Sequence, residues 1–314
     1  AQGNTLGDAY VSMAFMSVVV PNRIASGQSL PDIHVLVKGM RLDRYNSSGQ
    51  WQDTSFTNNP AWVILDVLRR SGWREEEIDL TSFAATAEIC DTPVAAVDLN
   101  GNQTLAPQFQ CNLILNGRRS AADVVRGIRN GSSLYLVLSA GGLLQLKVEG
   151  SIAQQQPTLA PGSNSTGMIG GGWPAYEFGD SAFGGILRKP GGESSLRVYS
   201  RNSADTPNRM TVEFQDEFNE YQQDSISLVD VDDALLSGQE ITTSLAALGL
   251  PNFNQAGRAI TLQLNKSIRG NTYIDFETSV KAVGLNPGDL VTMTYAREGW
   301  ERQLFRILRI SPGP

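Results

Sequence analysis

The sequence predicts a β-rich α+β protein in which an antiparallel β-barrel is joined to a smaller α+β module. Helical periodicity with capping signals is concentrated in residues 58–150, whereas alternating β-formers separated by turn residues dominate residues 175–314. Between them, residues 151–174 are rich in Gly, Pro and Ser and lack periodicity, which predicts a linker. Residues 1–57 form a fourth segment, which we expect to supply strands to a barrel.

Composition and charge argue against several classes of function. The chain has 314 residues, enough for two or three domains, and 41% of them are hydrophobic, as in ordinary globular proteins. A net charge of -7 and scattered arginines argue against nucleic-acid binding and favour a solvated acidic surface. The longest apolar run, residues 11–21, contains two serines and is far too short for a bilayer span. We therefore expect neither a nucleic-acid partner nor a membrane helix.

Residues 1–57 are predicted to form strands and turns without a helix. Residues 10–20 are rich in β-formers, residues 34–40 alternate weakly, and residues 46–49 form a turn between Tyr45 and Trp51. This segment has no predicted helix and only a small number of strands, so it must pair with another part of the protein. We expect them to complete a sheet with later residues, or to end a barrel whose beginning is absent.

Residues 58–73 carry a complete set of helix start and stop signals. Asn59 is a suitable N-cap, and Pro60 suits the first helical position, where its missing N–H costs nothing. Gly72 can adopt the left-handed conformation that ends a helix, which places Trp73 beside Leu68 in a Schellman ending. The apolar stripe of this helix predicts that it docks on a core: Ala61, Ile64, Leu65 and Leu68.

Two further helices and three strands are predicted in the same module. Asp79 caps one helix, and Ser120 with Asp123 resembles a capping box for another that ends at residues 130–131. Residues 134–139 and 143–149 form a hairpin around a glycine turn. The apolar positions are Phe83, Ala87 and Cys90 in the first helix, and Val124, Val125 and Ile128 in the second. Alternation predicts a half-buried strand through Phe109, Cys111, Leu113 and Leu115.

Residues 175–314 are predicted to contain about six short strands of a small antiparallel barrel. The strands are residues 196–200, 210–214, 226–231, 274–276, 291–295 and 304–310. Pro287 and Gly288 suit the central positions of a type II turn, and Asn208 follows Pro207 at the start of a strand. The periodicity of residues 252–267 fits both a helix and a strand.

Cys90 and Cys111 are too few for a disulfide scaffold in a chain of this size. Both lie on predicted apolar faces, which favours two reduced thiols in the core, with a single bridge as the alternative. A metal site is disfavoured because the chain has one histidine.

Candidate catalytic groups are sparse. The only histidine, His34, lies in a predicted strand, so a nucleophile–base triad is disfavoured. One alternative is a glycosidase, which needs two carboxylates across a cleft. Another is a calcium site, for which residues 229–233 could supply oxygen ligands. The acidic candidates are Asp216, Glu217, Glu220, Asp230, Asp232 and Asp233, which solvated turns explain more simply. Residues 170–172 lack the Lys-Ser/Thr pair of a phosphate loop. We expect no enzymatic activity, cofactor or metal.

Aromatic residues near turns raise a further alternative, a sugar-binding platform. They fall into two groups: Trp173, Tyr176 and Phe178, then Phe214, Phe218 and Tyr221. Packing in a core or an interface accounts for them with fewer assumptions.

Several motifs resemble the J-like tail-tip hub proteins of long-tailed bacteriophages. The motifs are Asn59-Pro60-Ala61-Trp62 before a short apolar helix, Ser71-Gly72-Trp73, Cys90-Asp91, Cys111-Asn112, and Pro287-Gly288-Asp289 within residues 284–291. The resemblance spans most of the chain. It implies a helix in residues 252–267, and with Ala1 in place of Met it implies a fragment of a longer protein.

The resemblance implies a structural role in a tail hub or baseplate. In such hubs three copies form a ring whose barrels match the tail tube above to trimeric fibres below. The implied partners are therefore other copies of the chain and neighbouring tail proteins, at the virion tail tip after assembly in the bacterial cytoplasm. Two alternatives stay open: a peptidoglycan-degrading module and a module that binds host-surface glycans.

Overall fold

The computed structural model describes residues 17, 35–115, 117–139, 141–149, 168–169, 173–174, 177–180, 184–202 and 205–311. The chain divides into two compact units, Ala1–Gly39 and Met40–Pro314. Residues 35–40 form no strand, so the strand predicted at residues 34–40 is wrong where it is described. The strand predicted at residues 10–20 lies, apart from Ser17, outside the described residues. None of the described helices is long and apolar enough to cross a membrane.

The second unit begins with a β-hairpin. Strand β1 (Arg41–Tyr45) pairs antiparallel with β2 (Trp51–Phe56). The predicted turn at residues 46–49 is confirmed, because the Gly49 N–H donates to the Asn46 carbonyl oxygen (2.8 Å) at a φ of +74°. The Asn46 side chain also accepts the backbone N–H of Ser48 (3.0 Å), which closes the turn from inside.

All three helices predicted in residues 58–150 are confirmed. They are α1 (Pro60–Arg70), α2 (Leu80–Cys90) and α3 (Ala121–Ser132). Helix α1 ends as predicted: Gly72 has a φ of +104°, and the Trp73 N–H donates to the Leu68 carbonyl oxygen (3.2 Å). Helix α3 ends later than predicted, at Ser132, because Ser133 takes the left-handed conformation.

The strands of this module differ partly from the prediction. The hairpin of β5 (Leu134–Leu138) and β6 (Leu144–Val148) is confirmed, whereas the hairpin of β3 (Pro93–Val97) and β4 (Gln103–Pro107) was not predicted. The strand predicted at residues 109–115 is wrong. Phe109 donates its N–H to Cys90 (3.0 Å) and Cys111 donates to Asn58 (2.7 Å), so the segment alternates in burial without pairing to a strand.

One apolar core holds the module together. Its least accessible side chains come from all three helices and from β6: Ile64, Leu65, Phe83, Ile128 and Leu146. Burying such side chains contributes about 1.5–3 kcal/mol each, so the helices are stabilised mainly by this shared contact.

Ten strands lie in the described part of residues 168–311, and each of the six predicted strands overlaps one of them. The ten strands are β7 (Met168–Ile169), β8 (Trp173–Pro174), β9 (Glu177–Gly179), β10 (Arg197–Ser200), β11 (Arg209–Asp216), β12 (Gln222–Val229), β13 (Thr242–Leu245), β14 (Thr272–Asp275), β15 (Leu290–Tyr295) and β16 (Trp300–Arg306). Two predicted strands run too far, because residues 230–231 lie beyond β12 and residues 307–310 lie beyond β16.

These strands form separate small sheets instead of the predicted antiparallel barrel. The first sheet has the order β12-β11-β13 and the second sheet has the order β16-β15-β9. In each, the third strand pairs parallel to the central one, which the sequence pattern did not reveal. Among the described strands no sheet closes on itself, so the barrel prediction is corrected to a mixed α+β, strand-rich architecture.

Two helices accompany these sheets: α4 (Val231–Ser237) and α5 (Phe253–Arg269). Helix α5 confirms the helical reading of residues 252–267. The Asn252 side chain caps it by accepting the Gln255 N–H (3.0 Å). Its apolar face packs on the first sheet, where Ile260 and Leu264 share a core with Val212.

Candidate functional site

The motif at the start of α1 ties that helix to α2. The Asn59 side chain is buried; its Oδ1 accepts the Ala61 N–H (3.0 Å), and its Nδ2 donates to the Ala87 carbonyl oxygen (2.8 Å). One amide thus caps α1 and bridges to α2. Pro60 occupies the first helical position, and Trp62 is buried. The four motif residues therefore form a packing junction and leave little surface for a ligand.

The two cysteines join the same junction to the loop at residues 108–112. The Cys90 carbonyl oxygen accepts the Phe109 N–H, and the Cys111 N–H donates to Asn58. As predicted, both thiols are buried and free. Burial raises the pKa of the Cys90 thiol, with a smaller contribution from Asp91, and raises the pKa of Cys111 to about 12. Thiols held protonated in this way are inert at neutral pH.

A glycine before α5 contacts this loop closely. Gly249 has a φ of +75°, and a Cβ placed on it would lie 2.4 Å from the Cys111 Sγ. The Gly249 carbonyl oxygen also accepts the Asn112 N–H (2.9 Å). Because both the conformation and the space exclude a side chain, glycine is required where the β-rich part meets the Cys-Asn motif.

A buried glutamine that was not predicted from the sequence, Gln255, makes three hydrogen bonds between α5 and the α+β module. The Gln255 Oε1 accepts the Gln110 N–H (2.9 Å), and its Nε2 donates to the carbonyl oxygens of Gln110 (3.0 Å) and Gly131 (3.1 Å). Gln255 lies on the buried face of α5. A polar residue on an apolar helical stripe is the sequence signal that could have revealed it.

Helix α3 packs closely against the segment that precedes α5. A Cβ on Gly127 would lie 2.5 Å from Leu248, and the Leu248 N–H donates to the Gly127 carbonyl oxygen (3.0 Å). The Asn130 side chain donates to the Ala246 carbonyl oxygen (2.9 Å). Small residues on α3 thus allow the backbone of the β-rich part to approach the helix.

The Pro-Gly-Asp turn, the second motif on which the resemblance rests, docks on the β5–β6 hairpin. The predicted type II turn is confirmed, since the Asp289 N–H donates to Asn286 (3.1 Å) and Gly288 has a φ of +93°. The Asp289 side chain accepts the Asn286 N–H (2.8 Å) and forms an ion pair with Lys147 (3.2 Å). A Cβ on Gly288 would overlap the ring of Tyr135 at 2.1 Å, so the turn requires glycine for packing as well.

Glu149, at the end of β6, adds a charged contact beside this turn. Its carboxylate pairs with Lys266 of α5 and with the Arg306 Nε of β16 (3.0 Å), and it is 13% exposed. Arg306 also donates to the Gly288 carbonyl oxygen (2.6 Å). One carboxylate therefore joins the α+β module to both α5 and the second sheet, and its removal leaves two cations without this partner.

The acidic candidates serve as caps and tethers. Asp216 is buried and accepts the Phe218 N–H (3.2 Å), while Asp230 caps α4 by accepting the Asp233 N–H (3.1 Å). Burial raises the pKa of Glu217, opposed by the hydrogen bond from Asn252. Asp232 and Glu220 are exposed. In the described part of the chain no three His, Cys, Asp or Glu side chains group as metal ligands.

The aromatic candidates are used mainly in packing. Phe178 is buried with its ring 5.1 Å from that of Phe276, and Phe214 is buried in the core of the first sheet. Phe218 packs on Phe253 and Tyr221 accepts from Asn112 (3.4 Å), although both are partly exposed. His34, Tyr176, residues 170–172 and the side chain of Trp173 lie outside the described part.

Known proteins that resemble this chain are components of phage-type particles. A family model of phage tail proteins matches residues 171–310. The tip attachment protein J of Escherichia phage SECphi27 is 25% identical over 254 residues, which cover 78% of this chain and 18% of that protein. The chain thus spans less than a fifth of the length of this curated relative.

A solved structure of the virion of a native gene transfer agent particle contains a chain of similar fold. The TM-score is 0.52 at 12% identity, over 82% of this chain and 45% of that chain. At this identity the likeness concerns the fold alone. The family model and the curated relative support a structural component of a phage-type tail, and they confirm the resemblance of this chain to the J-like tail-tip proteins of bacteriophages.

Proposed function

We propose that this chain is a structural part of the tail hub of a phage-type particle, where it links the tail tube to the fibres at the tip. The observation that carries the proposal is the use of the shared motifs. Residues 59–62 hold the core of the α+β module, and residues 287–289 fasten the second sheet to that module through Lys147. Because these motifs make contacts within the chain, they favour a component that keeps one rigid conformation inside an assembly.

The proposed hub contains three copies in a ring, at the tail tip of the virion, assembled in the bacterial cytoplasm. Among the described strands, the outer strands of the first and second sheets have one edge without a paired strand, and this supports the arrangement because such edges need cover. In this proposal the two sheets contribute to a barrel-like ring that only the assembled hub completes. Tail-tube and tip proteins are the other partners.

Removal of the α+β module tests the proposal in the particle. We expect particles whose protein lacks residues 58–150 to carry no complete tails, visible by electron microscopy. A milder variant, Gln255→Ala, should reduce the yield of complete tails, whereas Gln263→Ala on the half-buried side of α5 should not. Normal tails after the deletion would contradict the proposed function.

A further inference from the structure

Helix α4 presents an apolar surface to solvent. Val231, Leu235 and Leu236 are 59%, 76% and 89% exposed, and Asp232 is exposed among them. Residues 222–240 contain five acidic side chains and neither Lys nor Arg; Asp230 pairs with Arg269 and Glu240 with Arg209, whereas Asp232 is exposed on α4. Val231, Asp232, Leu235 and Leu236, which we name the α4 surface, are therefore apolar and acidic together. Clustered exposed apolar side chains of this kind mark contact sites.

A second apolar surface has the opposite charge. Leu304, Leu308 and Ile310 are 50%, 70% and 39% exposed, and Arg309 is exposed between the last two. Residues 300–311 contain three arginines and one glutamate, but Arg302 pairs with Glu177 and Arg306 with Glu149, so the positive charge of this surface is that of Arg309. We name Leu304, Leu308, Arg309 and Ile310, of which Leu304 lies in β16 and the other three follow it, the β16 surface. Strand β16 is also the outer strand of the second sheet, with one edge unpaired among the described strands.

We propose that the α4 surface of one copy docks on the β16 surface of a second copy. Pairing two α4 surfaces would bring acidic side chains together, and pairing two β16 surfaces would bring arginines together; both arrangements are repulsive. The unlike pairing alone joins apolar side chains and opposite charges at once. Such a contact is head-to-tail, so it repeats from copy to copy and closes into a ring where the rotation allows.

This inference rests on the proposed function, because a hub ring requires a repeated head-to-tail contact. Charge reversal tests it in the chain itself. The molar mass of the wild type, measured by light scattering over a concentration series, should rise above the 34.0 kDa of the monomer. Asp232→Arg and Arg309→Asp should each weaken self-association about tenfold, the order expected for like charges placed in contact.

Two combinations make the test specific to this pair of surfaces. The double variant Asp232→Arg with Arg309→Asp should recover the self-association of the wild type. An equimolar mixture of the two single variants should associate more strongly than either variant alone. Glu76→Arg and Arg118→Asp make the same charge changes at exposed positions outside both surfaces, and should leave the mass unchanged.

Three results would overturn the inference: a wild-type monomer at every concentration, single variants that associate like the wild type, or a correctly folded double variant that fails to recover. Circular dichroism establishes that each variant is folded. If the deletion of residues 58–150 still abolishes tails, these results overturn the docking alone. If that deletion leaves tails normal while charge reversal behaves as expected, only the proposed function fails.

Discussion

The first and second sheets share one pattern of strand pairing but are covered differently. In each, a central strand pairs with its hairpin neighbour on one side and with a parallel strand on the other. In each, the hairpin connection is a short 3-10 turn, Glu217–Asn219 or Ala296–Glu298, followed by a residue in the left-handed conformation. The same combination of a hairpin turn and a parallel third strand therefore occurs twice in the chain.

The difference lies in what covers each sheet. The first sheet buries Met210, Val212 and Phe214 beneath α5, whose Ala256 and Ile260 are inaccessible to solvent. The core of the second sheet has four fully buried residues and no contribution from a helix among the described residues. Four aromatic side chains that pack against this core are only partly buried: Phe276, Tyr295, Trp300 and Phe305.

This difference assigns the two sheets different roles. The first sheet is finished within the chain, since α5 covers it and Gln255 joins α5 to the α+β module. The second sheet is fastened by the Pro-Gly-Asp turn and Glu149, but Leu304 of β16 and Leu308 and Ile310 after it are exposed. We therefore expect internal stability to depend mainly on the first sheet, whereas assembly uses both the α4 surface and the β16 surface.

Equal truncations in the two sheets should have unequal effects on stability. Phe214→Ala removes a buried ring beneath α5 and should lower the free energy of unfolding by about 3–5 kcal/mol. Phe305→Ala removes a half-buried ring of the second sheet, so its cost should be less than half as large. Urea denaturation of both variants measures the difference. Equal losses would contradict the division of roles.

Gln255 should stabilise the protein far more than a neighbouring glutamine on the same helix. Gln255→Ala leaves the Gln110 N–H and the carbonyl oxygens of Gln110 and Gly131 without this partner, at a cost of about 2–3 kcal/mol. Gln263→Ala, at a half-buried position, should cost less than about 1 kcal/mol. Thermal unfolding of the two variants side by side would refute this ranking if their midpoints coincide.

The two hairpin turns differ at the left-handed residue, which allows opposite substitutions. Glu220 has a φ of +52°, so Glu220→Gly should relieve strain and stabilise the protein by about 0.5–1 kcal/mol. Gly299 has a φ of +69° and open space around a Cβ, so Gly299→Ala should destabilise by about 1–2 kcal/mol through conformation alone. Changes of the same sign in chemical denaturation would show that the turns are not equivalent.

The first residue of the 3-10 turn gives the smallest predicted effect, a dependence on pH. Burial raises the pKa of Glu217, the hydrogen bond from Asn252 opposes this, and Asp216 adds to it. The stabilising contribution of the protonated carboxyl is therefore complete below the ordinary pKa and lost as pH rises through the raised value. Glu217→Gln should slightly stabilise the protein near pH 7 and give no advantage near about pH 4. Denaturation midpoints of the wild type and the variant, measured at both pH values, test this. A stabilisation by Glu217→Gln that is larger at the acidic pH than near pH 7 would contradict it.

Local signals in the sequence predicted α1, α2 and α3. They did not predict α4, and they left residues 252–267 open between a helix and a strand, which only the family resemblance favoured as a helix. Asn59, Pro60 and Gly72 act within a few residues of α1, so the start and end of that helix could be read directly. Residues 109–115 were misread as a strand, because their alternating burial comes from contacts with α2 and Gly249 instead of a paired strand.

Contacts between distant parts of the chain could not be predicted in the same way. Gln255 is separated by 145 residues from Gln110 and by 124 from Gly131, and no local pattern records such partners. The parallel pairing of β13 with β11, and that of β9 with β15, also joins segments that are distant in the sequence. Separate mixed sheets therefore form instead of the expected antiparallel barrel. The structural role of the motif positions stays a prediction, and their partners Lys147, Tyr135 and Glu149 were not predicted from the sequence.

Native-state hydrogen exchange tests the central claim most directly, since it measures the opening free energy of each element. If the shared motifs and Gln255 join the α+β module to the first sheet, the amides of α1 and β11 should exchange with one common free energy of opening. The amides of β16 should exchange at a lower value. Exchange of β11 at a free energy well below that of α1 would contradict the account.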